Sequence, residues 1–259
     1  MTRVIVAAVT LVALSAQNPV PPAAAPDTSC PEIATALQVL LRNDVRLRDW
    51  PNLQRYRDAN RALNAPAAGD LRVVFMGDSI TDAWPQPRFG AFFPGKPYVG
   101  RGISGQTTAQ MLVRFRPDVI DLKPKAVVIL AGTNDIAGNT GPMTDEDIQR
   151  NIESMAELAK AHGIRVVLSS ITPTGAYHAA PTAAPQSTTR PMSRIKAIND
   201  WMKSYAAANG HVYLDYFTPM LDATGMMKAE LTADDLHPNA LGYAIMAPLA
   251  QAAIDKALQ

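Results

Sequence analysis

The chain has 259 residues, 18% of them charged, and a net charge of +1. That balance excludes an electrostatic affinity for nucleic acid or for an acidic surface. A hydrophobic content of 47% places the chain among globular rather than disordered proteins, and a single cysteine, Cys30, excludes an intramolecular disulfide.

The N-terminus opens on a short basic stretch, Met1 to Arg3, followed by an almost wholly apolar run over 4–14. That run is too short for a bilayer core, which needs about 20 residues. The small residues Ala13, Ser15 and Ala16 follow, which is the pattern of a signal peptide over 1–16. The chain is therefore expected to be secreted or periplasmic, with no stable membrane anchor. Residues 17–29 read as a Pro/Ala linker. Asp27-Thr28-Ser29 lacks the apolar residue that lipid attachment at Cys30 would need, so this thiol reads as structural or incidental.

Residues 30–66 read as a helical extension packed on the main domain, 67–259. Ile33, Leu37, Leu40 and Leu41 fall on one helical face, and Leu53, Tyr56, Asn60 and Leu63 suggest a second helix after Trp50-Pro51. From there short apolar runs at 71–76, 98–99, 126–131, 165–169 and 211–214 alternate with helical patterns near 108–122, 145–162 and 191–209 and from 239 onward. Pro248 should kink or divide the last helix. Continuous β-branched runs separated by helices predict one α/β domain with a parallel sheet buried on both faces.

An open parallel sheet binds its ligands beyond the carboxyl ends of its strands. Gly77-Asp78-Ser79-Ile80-Thr81 follows the first run, and Gly132-Thr133-Asn134-Asp135 the third. Asp234-Asp235-Leu236-His237-Pro238 follows the fifth after one loop. Ser79 can be an N-cap or a nucleophile activated by a neighbouring base. The G-x-S-x-G elbow is not matched, because Thr81 stands where the second glycine belongs.

Of the four histidines, His162 closes a predicted helix, His211 opens a strand and His178 lies in a Pro/Ala/Thr loop. Only His237 has a carboxylate three residues earlier, at Asp234. That spacing lets Asp234 accept from Nδ1 and leaves Nε2 as the base. Asn134 fills a turn or, through its side-chain amide, donates to an oxyanion alongside the main-chain N–H groups of Ser79 and Gly105.

This constellation resembles the SGNH hydrolases, also called GDSL-type esterases. The likeness rests on "GDSIT" (77–81), "GISGQTT" (102–108), "GTND" (132–135) and "DDLHP" (234–238), in family order, with Ile80 where the name motif has Leu. The resemblance implies a flavodoxin-like three-layer α/β/α sandwich with a five-stranded parallel sheet. It implies Ser79 as nucleophile, His237 as base and Asp234 as its orienting partner. Ser79, Gly105 and Asn134 are then the oxyanion donors, and no cofactor or metal is needed.

The stretch "YVGRGISGQTT" (98–108) also spells G-x-G-x-x-G, a dinucleotide-binding spacing. It does not follow the first strong strand, and no acidic residue sits at a persuasive distance for a ribose. The expected function is hydrolysis of short acyl esters, acetyl foremost, on a small-molecule or saccharide substrate. An acyltransferase, a lipid or thioester acylhydrolase and a non-catalytic carbohydrate-binding protein are the alternatives. Residues 172–191, polar and rich in proline, are expected to wall or cover the site.

Overall fold

The computed structural model describes residues 31–180 and 182–259, with the main chain alone at 31, 32 and 42–47. The expected signal peptide, linker and Cys30 lie outside them. Two units are distinguished, residues 1–45 and residues 46–259. Helix α1 (Pro31–Arg48) extends past Leu41. The second unit carries α2 (Arg57–Ala62), β1 (Val73–Gly77), α3 (Ser79–Ala83), β2 (Tyr98–Gly102), α4 (Thr108–Asp118), β3 (Ala126–Leu130) and α5 (Thr133–Ile136). It continues with α6 (Asp145–Ala161), β4 (Arg165–Ser169), α7 (Gln186–Thr189), α8 (Met192–Asn209), β5 (Val212–Leu214) and α9 (Ala240–Ala257).

Five parallel strands form one sheet in the order β2-β1-β3-β4-β5. The alternation of side chains along β1 divides the core in two. Val74 and Met76 join the apolar faces of α4, α6 and α8 on one side of the sheet. Val73 and Phe75 join Ile80, Trp84, Tyr243, Met246 and Ile254 on the other, under α3 and α9. Both faces are covered, so the central strands carry no polar positions; all five residues of β1 and of β3 are buried. Each fully buried large aliphatic side chain stabilises such a core by about 1.5–3 kcal/mol. This is the expected three-layer sandwich.

Two local expectations change. The second helix shrinks to α2, because the carboxylate of Asp49 takes the N–H groups of Leu53 (2.8 Å) and Gln54 (3.0 Å) and holds the chain in turns up to Tyr56. Pro248 does not divide the last helix. α9 runs through it unbroken, since Met246, Ala250 and Ile254 on either side are wholly buried against the sheet, and that packing outweighs one lost hydrogen bond. The order of strands reverses between β1 and β3, which opens a crevice at their carboxyl ends.

Candidate active site

β1 ends in a sharp turn into α3. Asp78 caps that helix, accepting from Ile80 N at 3.0 Å. Gly77 is required there: a Cβ would come within 2.1 Å of Thr81 Oγ1. Ser79 is the first residue of α3, so its N–H lies in the first turn, where no intrahelical acceptor exists. Asp78 is buried, and burial pushes its carboxyl up to about 6, against the pull of the Ile80 N–H and of the nearby His237.

The turn before α9 delivers the imidazole. Asp234 Oδ1 accepts from the N–H groups of Leu236 (3.1 Å) and His237 (2.8 Å), folding the chain back on itself. Its Oδ2 meets His237 Nδ1 at 2.6 Å, and His237 Nε2 meets Ser79 Oγ at 2.9 Å. Ser79, His237 and Asp234 thus form one hydrogen-bonded chain across 158 residues of sequence. Burial raises the Asp234 carboxyl, but its bonds to the His237 ring and main chain outweigh that and leave it below the usual carboxylate range.

The opposite rim comes from β2 and β3. Gly105 has φ +80°, a left-handed conformation that favours glycine. Gly102 allows a close backbone approach: a Cβ would lie 2.1 Å from Asp82 N. Gly102 therefore seats the end of β2 against the Ser79 turn. Asn134 is buried in the short helix α5, and its Nδ2 donates to Gln106 O at 3.0 Å. The neighbouring Asp135 accepts from Thr108 N (2.9 Å) and Thr108 Oγ1 (2.5 Å), pinning the start of α4. Burial raises the Asp135 carboxyl, opposed by those Thr108 bonds.

A buried guanidinium ties these parts together. Arg114 donates to Gln106 Oε1 (2.5 Å), Arg101 O (2.8 Å), Asp118 Oδ2 (3.0 Å) and Gly77 O (2.9 Å). Burial lowers its affinity for the proton, offset by Asp118. The segment before α2 continues the network. Gln106 Nε2 donates to Pro51 O (2.7 Å), Gln110 Nε2 to Trp50 O (2.7 Å) and the Tyr56 hydroxyl to Gly102 O. Asn60 accepts from Arg101 Nε (2.8 Å) and donates to Asp118 Oδ1 (2.7 Å). Residues read from sequence as an outer helix thus brace the loop that carries Gly105.

Sequence reasoning also passed over a second Asp–His contact. Asp235, at φ +65°, accepts from His178 N (2.6 Å) and meets His178 Nδ1 at 3.0 Å, while its main-chain O accepts from Gly175 N (2.8 Å). Tyr177 Oη reaches Asp222 Oδ2 at 2.5 Å. The 172–191 segment is thereby fastened to the loop that presents His237. The adjacent acids in Asp234-Asp235 were a visible signal; the partner of Asp235, 57 residues away, was not. His162 contacts Leu158 O at the end of α6, and His211 precedes β5 with its ring depressed by burial. Among the described residues no group of three or more His, Cys, Asp or Glu side chains is placed to hold a metal. None of their helices is long and apolar enough to cross a membrane.

The sequence model of the GDSL-like Lipase/Acylhydrolase family matches residues 75–245, the stretch that supplies every residue of this rim. The chain belongs to that family. A solved GDSL-like lipase from Bacteroides thetaiotaomicron is 42% identical, with a TM-score of 0.71 over 80% of this chain and 99% of its own. Esterase TesA of Pseudomonas aeruginosa is 31% identical over 140 residues, 54% of this chain. An uncharacterized lipoprotein of Bacillus subtilis, YqeF, is 37% identical over 75 residues, 28% of this chain. The match spans 60% of the esterase and 31% of the lipoprotein.

Proposed function

We propose that this family member is a serine esterase that hydrolyses short-chain acyl esters through an acyl-enzyme on Ser79. The observation that carries the reading is the continuous contact from Asp234 through His237 to Ser79, with Nε2 2.9 Å from Oγ. Asp234 accepts a hydrogen bond from Nδ1–H and so fixes the tautomer that leaves the Nε2 lone pair facing the hydroxyl. As Oγ attacks the ester carbonyl, Nε2 takes its proton and the carbonyl oxygen becomes an oxyanion. The N–H groups of Ser79 and Gly105 and the Asn134 amide donate to it. His237 then protonates the departing alcohol, and a water activated by the same imidazole releases the acid.

A saccharide alcohol and a small acyl group, acetyl foremost, are the substrate halves. The polar, proline-rich segment 172–191 supports this, for it offers little apolar surface to a long chain, and we assign it the role of wall beside the site. The signal-like residues 1–16 and linker 17–29 support export before the enzyme acts, with residues 67–259 as the hydrolase domain. The deciding experiment is labelling with an active-site organophosphonate, followed by turnover of aryl esters of graded acyl length. Stoichiometric label on Ser79 and fastest release of acetate are expected. An unlabelled Ser79 overturns the reading, whereas a long-chain preference overturns only its substrate.

A further inference from the structure

Asn134 presents two N–H bonds and one carbonyl, and a side-chain amide rotated by a half turn would aim its oxygen where an oxyanion needs a donor. Something has to fix its orientation. One of its N–H bonds is spent on Gln106 O at 3.0 Å. Its Oδ1 accepts from Asn139 Nδ2, also at 3.0 Å. The same Asn139 nitrogen donates to Gly105 O at 3.0 Å, and the Asn139 main-chain N–H donates to Asn134 O at 3.0 Å. Asn139 therefore grips Asn134 by both main chain and side chain, and reaches the second rim residue with the same amide.

We propose that Asn139 is a positioning residue of the oxyanion hole, locking the Asn134 amide with its NH2 toward the cleft and holding the Gly105–Gln106 peptide beside it. This inference rests on the esterase reading for its catalytic consequence, though not for its geometry. The Gly105–Gln106 peptide is held at both polar atoms, its oxygen by Asn139 and its N–H by Ile103 O at 3.2 Å. That leaves the left-handed Gly105 little freedom to swing its own N–H. A carboxylate at 139 would face Asn134 Oδ1 with an acceptor instead of a donor and would add negative charge beside the growing oxyanion. The glycines on either side of the Asn139-Thr140 pair, Gly138 and Gly141, both have positive φ and shape the tight loop that turns this side chain back. In sequence, "AGNTG" reads only as a turn.

The test uses the full chain with a small aryl acetate. Asn139→Ala is expected to lower kcat about tenfold with KM within twofold, and Asn139→Asp to lower kcat about a hundredfold, since preorganised donors act on the transition state alone. In an Asn134→Ala background, Asn139→Ala should cost clearly less than tenfold, because only its hold on Gly105 O is left to lose. Asn139 is exposed, so melting temperatures should stay near that of the parent protein. A kcat for Asn139→Ala within twofold of the parent overturns the proposal, as does a full tenfold loss in the Asn134→Ala background. A readout independent of turnover separates this inference from the esterase reading. The Asn134 side-chain NH2 resonances, assigned by their loss in Asn134→Ala, should move in Asn139→Ala. Unmoved resonances overturn the inference even if Ser79 proves catalytic, and moved ones uphold the orientation even if Ser79 proves inert.

Discussion

The two rims of the cleft are built differently. On one side Gln106, Thr107, Thr108, Asn134 and Asp135 are all buried, and Arg114, wholly enclosed, ties Gln106 to β1 and β2. On the other, the side chains of His237 and Asp234 are 38% and 50% exposed on a single turn of chain. The difference fits the work proposed for each rim. Donors to an oxyanion help most when they need no rearrangement as charge grows. A base must instead accept a proton, pass it to a leaving group and admit water, so it stands at the edge.

The largest effects should come from the exposed rim. Ser79→Ala and His237→Ala are each expected to lower kcat by about 10⁴-fold or more while leaving the melting temperature intact, because residues acting as a unit fail together.

The buried rim should respond in stability as well. Arg114→Met leaves Asp118 without its guanidinium, and removing one partner of a buried pair costs about 3–5 kcal/mol. Chemical denaturation measures this directly, and a loss under 1 kcal/mol would show that the network is not buttressing the rim. Asn134→Ala should cost about 10²–10³ in kcat and, by leaving Gln106 O without its donor, about 1–3 kcal/mol in stability. An unchanged rate would reduce Asn134 to a turn residue.

Asp78 sharpens the contrast through pH. Its folded carboxyl is raised from 3.8 to about 6, so the folded state holds a proton that the unfolded state has released across that window. Stability contributed by this group is therefore full below about pH 4 and lost as pH rises through 6, by at most about 3 kcal/mol. Asp78→Asn keeps an acceptor for the Ile80 N–H and should flatten that slope, so the variant gains on the parent between pH 4 and 7. Unfolding curves at several pH values would show it; parallel slopes for the two proteins would contradict it.

The smallest effect is expected at the latch of the 172–191 segment. His178→Ala removes a half-exposed contact to Asp235 and should cost about 1 kcal/mol, or about 2–4 °C in melting temperature. A loss as large as that of Arg114→Met would mean that this side, too, is rigidly built.

Sequence alone determined the strands and their parallel pairing, and it singled out Ser79, Gly105, Asn134, Asp234 and His237 as candidates, because each stands in a local pattern: apolar runs, glycine blocks and a carboxylate three residues before an imidazole. Only the tertiary structure decided what braces them. Arg114, Gln106 and Asn139 act through hydrogen bonds to main-chain oxygens distant in sequence, which every residue possesses and no spacing announces. The role of residues 49–60 and the passage of α9 through Pro248 were hidden for the same reason. Both depend on packing between elements far apart in the chain, where burial overrides local propensity.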